Sequence, residues 1–252
     1  MGVPTLACAC AVCASTDPHD RRLRPSVLLR WRQSDTGIDR AVVIDTGPDF
    51  REQALREKLQ HVDAVFYTHP HADHILGMDD LRPLSFIADR RGGPIPLYAD
   101  RETAAVLERV FSYTFSPHAT YPTRARVELK PLNERNAVHG VDLVRIPLLH
   151  GAIPVNGFRF GNAAYLTDVS AIPESSFALL QDVDVLVLSA LRHTPHPSHA
   201  TLEQALAWAR RIASRQTWFT HIGHDLGHEE TNRNLPQNAK LAYDGLSVPV
   251  TL

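Results

Sequence analysis

The segment Thr68-His69-Pro70-His71-Ala72-Asp73-His74 places three imidazoles and one carboxylate within six residues. Nitrogen and oxygen donors of this kind suit a borderline divalent cation such as zinc or manganese. Pro70 is expected to keep the stretch from being a helix, and a loop can fan alternate side chains to opposite sides. His69 and His71 would then turn toward one ion, and Asp73 and His74 toward another. Two neighbouring ions need in addition a bridging carboxylate and at least one further histidine each. Asp168 can bridge, His150 can complete the first set, and His221 can complete the second. The competing reading is a solvated histidine-rich loop, and the inner Asp and the downstream donors at strand ends count against it.

A second cluster stands near the N-terminus. The chain has three cysteines, Cys8, Cys10 and Cys13, an odd number spaced too tightly for a disulfide framework. They read as a metal site short of one ligand, to be supplied from elsewhere by a histidine, or else as inert cysteines clustered by chance.

These residues have to be positioned by elements, and short Val-, Ile- and Leu-rich runs alternating with helical patterns predict an α/β architecture. Strands are expected at 26–31, 41–45, 64–68, 95–99, 126–132, 141–149, 157–162, 164–167, 183–189 and 217–221. Helices are expected at 51–60, 101–115, 175–180 and 201–214, the last opening with Thr201 and Gln204 in capping-box spacing. The Pro/Gly-rich stretches 89–96 and 116–123 read as loops. Asp45, His69, His150, Asp168, Ser189 and His221 each fall where an apolar run ends. Strand ends gathered on one sheet edge would bring them to a common site.

Composition narrows the classes. The chain has 252 residues, 44% hydrophobic and 21% charged, which fits one domain over 1–252 with a sizeable core. Twenty-six basic against 28 acidic residues argue against a broad footprint for long nucleic acid. No run is long and apolar enough to span a membrane and no export signal is evident, so a cytoplasmic protein is expected.

The motifs then resemble a known family. HPHADH matches the HxHxDH signature of the metallo-β-lactamase fold, and Asp45 in IDTGPD, His150 in LLHG, Asp168 in LTD and His221 in FTHIGH follow that family's motif order. The resemblance implies a four-layer αββα sandwich of the α/β (α+β) class, with two Zn or Mn ions held by His69, His71, Asp73, His74, His150, Asp168 and His221. It makes Asp45 a partner that orients a ligand histidine and fixes its tautomer.

CACAVC followed by STDPHDRRLRPS is similar to the phosphoribosyl cyclic phosphate phosphodiesterases of the PhnP type. That likeness implies a structural zinc held by Cys8, Cys10, Cys13 and His224. It also makes His199, before Ala200-Thr201, the general acid in preference to His193 or His196, beside a helix N-terminus that favours phosphate. Gly77-Met78-Asp79-Asp80-Leu81-Arg82-Pro83 resembles a GLDDLRP stretch of the same subfamily. Arg82 either contacts substrate phosphate or pairs with Asp79 or Asp80. Such chains usually begin with an edge strand and a Gly-rich turn before GVP. Here the sequence starts at Met1-Gly2-Val3-Pro4, so either the start is placed late or the first edge strand is absent, and the anchor of the cysteine loop is open.

The resemblance implies hydrolysis of a small cyclic phosphodiester such as 5-phosphoribosyl 1,2-cyclic phosphate, with Asp73 and His199 catalytic. Its rivals are a ribonuclease Z-like RNA 3'-end phosphodiesterase and a non-catalytic PqqB-like cofactor-biosynthesis or carrier protein. A homodimer is a reasonable expectation for the fold.

Overall fold

The computed structural model of the protein describes residues 2–116, 118 and 121–252. The loop expected at 116–123 lies partly outside these residues. The chain forms two compact units, one of Met1–Leu23 with Val141–Leu252 and one of Arg24–Gly140. Among the described residues no helix is long and apolar enough to cross a membrane.

In the unit of Arg24–Gly140, strands Val27–Arg32 (β1), Asp39–Ile44 (β2), Ala64–Phe66 (β3), Ile95–Ala99 (β4) and Val127–Pro131 (β5) form a sheet in that order. β1 and β2 are an antiparallel hairpin, and β2 to β5 run parallel. Val42, Val43, Ile44, Val65 and Phe66 are all fully or almost fully buried, as parallel strands covered on both faces require. The helices are Phe50–Arg56 (α1), Ala72–Ile75 (α2), Arg82–Arg91 (α3), Arg101–Val110 (α4) and Ser112–Phe115 (α5). Arg135–Val138 (β6) follows.

Two expectations need correction here. The metal-competent segment is not all loop, because α2 begins two residues after Pro70, with His71 as its N-cap at φ −66° and ψ 150°. Proline disfavours helical geometry in the residue before it, and places no such limit two residues later. The stretch 89–96 is loop only between Arg91 and Ile95. α3 runs through Pro83 because a proline in the first turn lacks only an N–H that would have no helical partner anyway.

The loop between β2 and α1 clasps α2. Thr46 N–H donates to His74 O and Gly77 N–H to Thr46 O, both at 2.8 Å. The approach is so close that a Cβ on Gly77 would stand 2.0 Å from Gly47 O, and one on Gly47 would stand 2.2 Å from Asp73 O. Both neighbours are backbone and cannot swing away. Gly77→Ala is therefore expected to destabilise the protein by about 1–3 kcal/mol. Urea unfolding should show a lower midpoint at unchanged slope, and an unchanged midpoint would refute the close approach.

In the other unit, Val141–His150 (β7), Ile153–Phe160 (β8), Ala163–Leu166 (β9), Val185–Ser189 (β10), Gln216–Thr220 (β11) and Ala239–Leu241 (β12) run in the order β12-β11-β10-β9-β8-β7. β7 and β8 pair antiparallel as a hairpin turned at Gly151, whose φ is +63°. β9, β10, β11 and β12 are parallel neighbours. Helices are Glu174–Leu179 (α6), Leu202–Ile212 (α7) and His228–Asn234 (α8). The expected capping box is present, with Thr201 accepting from Gln204 N–H and Gln204 reaching back to the Thr201 N–H. The buried face of α7, Leu202, Ala205, Ala209 and Ile212, packs with Leu186, Leu188 and Phe219 of the sheet, a helix stripe closing one sheet face.

Candidate functional site

Each unit carries its own donor set at the carboxyl ends of its parallel strands, the edge where open α/β sheets gather ligands. In the unit of Arg24–Gly140, Asp45 follows β2, and Thr68 with His69 follows β3. Asp45 is fully buried. Its Oδ1 accepts from Thr68 N–H at 2.8 Å, and its Oδ2 accepts from the Thr68 hydroxyl at 2.8 Å. His74 Nδ1 lies 2.7 Å from the same Oδ2. Burial pushes this carboxyl up from its ordinary value, and the His74 ring opposes the shift. With three donors aimed at the carboxylate, the His74 proton belongs on Nδ1, which gives Nε2 the lone pair a metal needs. The histidine oriented by Asp45 is thus His74.

Thr68 is the residue that sequence reasoning missed. With its hydrogen given to Asp45, its oxygen accepts from His69 Nδ1 at 2.9 Å, so one hydroxyl fixes a second imidazole in the same tautomer. The signal was a hydroxyl residue ending an apolar strand immediately before the first histidine. The His69 ring centroid lies 4.6 Å from that of His71 and 4.2 Å from that of His74. This unit therefore brings together His69, His71 and His74, with Asp73 beside them in the first turn of α2.

In the other unit, His150 ends β7, Asp168 follows β9, and His221 follows β11. His221 Nε2 lies 3.3 Å from Asp168 Oδ1, and His199 Nδ1 lies 3.6 Å from the same oxygen. The His199 ring stacks on His221 at 4.8 Å and meets the edge of His150 at 4.5 Å. Burial first, then the neighbouring His221, push the His199 imidazole down to about 3. His150, Asp168 and His199 offer ligand atoms within 4.8 Å of one another, so His199 is placed among the donors and not apart from them. His150 Nδ1 donates to Ser198 O at 2.6 Å, the tautomer that again gives Nε2 to a metal. Ser198 N–H in turn donates to His196 Nδ1 at 3.2 Å, so His196 shapes the loop that orients His150.

Asp45, Asp168 and His221 all have left-handed backbone, with φ of 64°, 54° and 51°. Asp and His are among the few residues that tolerate this conformation, and it turns each side chain at its strand end. Two of the backbone donors at the start of α7, where an anion was expected, are already taken. Leu202 N–H donates to Arg192 O and Gln204 N–H to Thr201 Oγ1, since a capping box satisfies the donors that a phosphate would take. Arg82 donates to Tyr121 Oη at 3.2 Å and lies 3.9 Å from Asp79.

Cys8, Cys10, Cys13 and His224 form a separate set, all four ligand atoms within 4.8 Å of one another. The three sulfurs stand 3.2, 3.5 and 3.5 Å from His224 Nδ1. In a tetrahedral zinc site, with bonds of about 2.3 Å to sulfur and 2.0–2.1 Å to nitrogen, a sulfur and a nitrogen stand about 3.6 Å apart. The donors fit the ion in kind and in spacing. The Cys13 N–H donates to Cys10 Sγ at 3.4 Å and is the main cause pushing that thiol down to about 6, toward the thiolate a metal binds.

Residues 40–222 match the family model described as "Beta-lactamase superfamily domain". A solved structure described as a new diphosphatase from the PhnP family is 49% identical, with a TM-score of 0.91, over 100% of this chain and 94% of that one. An octanoyltransferase of Porphyromonas gingivalis is 33% identical over 249 residues, 97% of this chain. The chain spans about half, 48%, of that curated relative's length. Zn(2+)-bound PqqB from Methylobacterium extorquens shares the fold at 19% identity and a TM-score of 0.73, over 99% of this chain and 96% of that one.

Proposed function

The chain belongs to the β-lactamase superfamily domain family and within it to the PhnP type, and we propose from this that it is a metal-dependent hydrolase of small phosphoric esters. The preferred substrate is a cyclic phosphodiester of the ribose 1,2-cyclic phosphate kind. The single observation that carries this reading is the holding of site histidines by fixed acceptors, His74 by the Asp45 carboxylate and His150 by the Ser198 carbonyl, in the motif order of a family whose 49%-identical member is described as a diphosphatase.

The motif order assigns His69, His71, Asp73, His74, His150, Asp168 and His221 to a two-ion centre. Two divalent ions held there would supply Lewis acidity and a water acidified to near neutrality. Asp45 and Thr68 hold Nδ1 of His74 and His69, and the Ser198 carbonyl holds Nδ1 of His150, which would leave Nε2 of each ring available to a metal. Asp73 accepts the proton of the attacking water while serving as a ligand. His199 passes a proton to the departing alkoxide. A negatively charged phosphate beside it would favour its protonated form, against the burial that pushes it down. Cys8, Cys10, Cys13 and His224 hold a separate structural zinc.

A second reading, hydrolysis of a phosphoric anhydride, is favoured by the description of the same relative as a diphosphatase. The test is a parallel assay of a ribose 1,2-cyclic phosphate, a 2',3'-cyclic nucleotide, a sugar diphosphate and precursor tRNA, with metal counted per chain. Fastest turnover of the ribose cyclic phosphate, with about three metal ions per chain, is expected. Fastest turnover of the sugar diphosphate would replace the first reading by the second, and preference for precursor tRNA would overturn both.

A further inference from the structure

The cysteine–histidine site joins two segments far apart in sequence, and one side chain touches both. Arg22 is 6% exposed. Its backbone closes the cysteine loop, since Val3 N–H donates to Arg22 O and Arg22 N–H to Val3 O, each at 2.8 Å. Its guanidinium holds the histidine turn. Nη1 donates to Gly223 O at 2.8 Å and Nη2 to Leu226 O at 2.6 Å, the carbonyls on either side of His224. Nη2 also donates to Asp20 Oδ1 at 2.9 Å and Nε to His19 O at 3.2 Å. Asp20 Oδ1 in turn accepts from His228 N–H at 2.8 Å.

A buried ion pair is a poor way to gain stability, because desolvating two charges offsets most of their attraction. What a guanidinium does supply is a rigid planar fork that fixes the spacing of the acceptors it binds. Here those acceptors bracket the metal-competent His224, and the same residue ends the loop that carries all three cysteines. We propose that Arg22 is a positioning residue for the Cys8, Cys10, Cys13 and His224 site, preassembling both halves so that metal binding does not have to order them. Ordering a loop and a turn on binding would cost affinity through lost conformational freedom. This inference rests on the reading of those four residues as a metal site.

The test uses the whole chain stripped of metal and titrated with cobalt(II), whose charge-transfer absorption from thiolate reports the cysteine site alone. Arg22→Lys keeps the charge but loses the fork. It is expected to bind at this site about tenfold more weakly or worse, with the same absorption at saturation because the ligands are unchanged. Affinity within twofold of wild type would overturn the role of Arg22 while leaving the cysteine site standing. Absence of the thiolate absorption in the wild-type chain would overturn the site and this inference with it. The wild-type chain also answers without any variant. After metal removal, hydrogen exchange at the Val3 and Arg22 amides should remain slow, and exchange at the rate of an unfolded chain would refute preassembly.

Discussion

Replacing His199 by alanine is expected to slow hydrolysis of a phosphodiester with an alkoxide leaving group by about 10²- to 10⁴-fold, with the metal content of the chain unchanged. An alkoxide cannot leave at neutral pH without a proton, and His199 is the imbalanced member of its cluster. His150 is committed through Nδ1 to a carbonyl, whereas His199 is 3.6 Å from the Asp168 carboxylate with Nδ1 in no hydrogen bond. A nitrophenyl ester needs no acid, so the variant should retain most of its activity on that substrate. The rival assignment, His199 as a ligand, predicts instead loss of metal and an equal loss on both ester types. Equal losses accompanied by metal loss would therefore remove His199 from the role of acid.

Asp45→Asn is expected to weaken metal binding by about 10- to 100-fold and to destabilise the protein by roughly 1–3 kcal/mol. The two side chains have the same shape, so the effect comes from hydrogen-bond polarity. The carboxylate accepts from Thr68 N–H, Thr68 Oγ1 and His74 Nδ1, and an amide has one acceptor oxygen and one donor nitrogen in their place. If the amide nitrogen faces His74, it drives the ring proton to Nε2 and blocks the atom that should bind metal. If it faces Thr68, it opposes a backbone N–H in a fully buried position. Metal retained against a competing chelator, together with urea unfolding, measures both consequences. Wild-type affinity in this variant would mean that Asp45 does not set the His74 tautomer.

Much of the site is legible in the sequence because its residues sit at strand ends, and strand ends are where an apolar run stops. Asp45, His69, His150, Asp168 and His221 were all placed by that rule, and each follows or ends a strand in its unit. The capping box at Thr201 and Gln204 is similarly local and was equally readable. What escaped depends on partners distant in sequence or on context weaker than a motif. Arg22 looks like one of several arginines in a basic stretch, and its acceptors lie 201 and 204 residues away. Thr68 was visible but carried no role until its hydroxyl was seen between Asp45 and His69. α3 had no helix expected over it, and its Pro83 sits in a first turn. β6 and β12, with 4 and 3 residues, are too short for an alternating pattern to stand out.

Cys8 and His224, whose ligand atoms lie 3.2 Å apart, are separated by 216 positions. During synthesis at about 5–20 residues per second, the thiols therefore emerge some 10–40 s before their imidazole partner. Throughout that interval the whole of Arg24–Gly140 is made, while the three cysteines remain an incomplete thiol group. Metal captured in that interval would be held by sulfur alone, and the fourth bond could form only after His224 has emerged. This site can therefore close only once residue 224 has been made, and oxidation of the waiting thiols is the hazard that the delay creates.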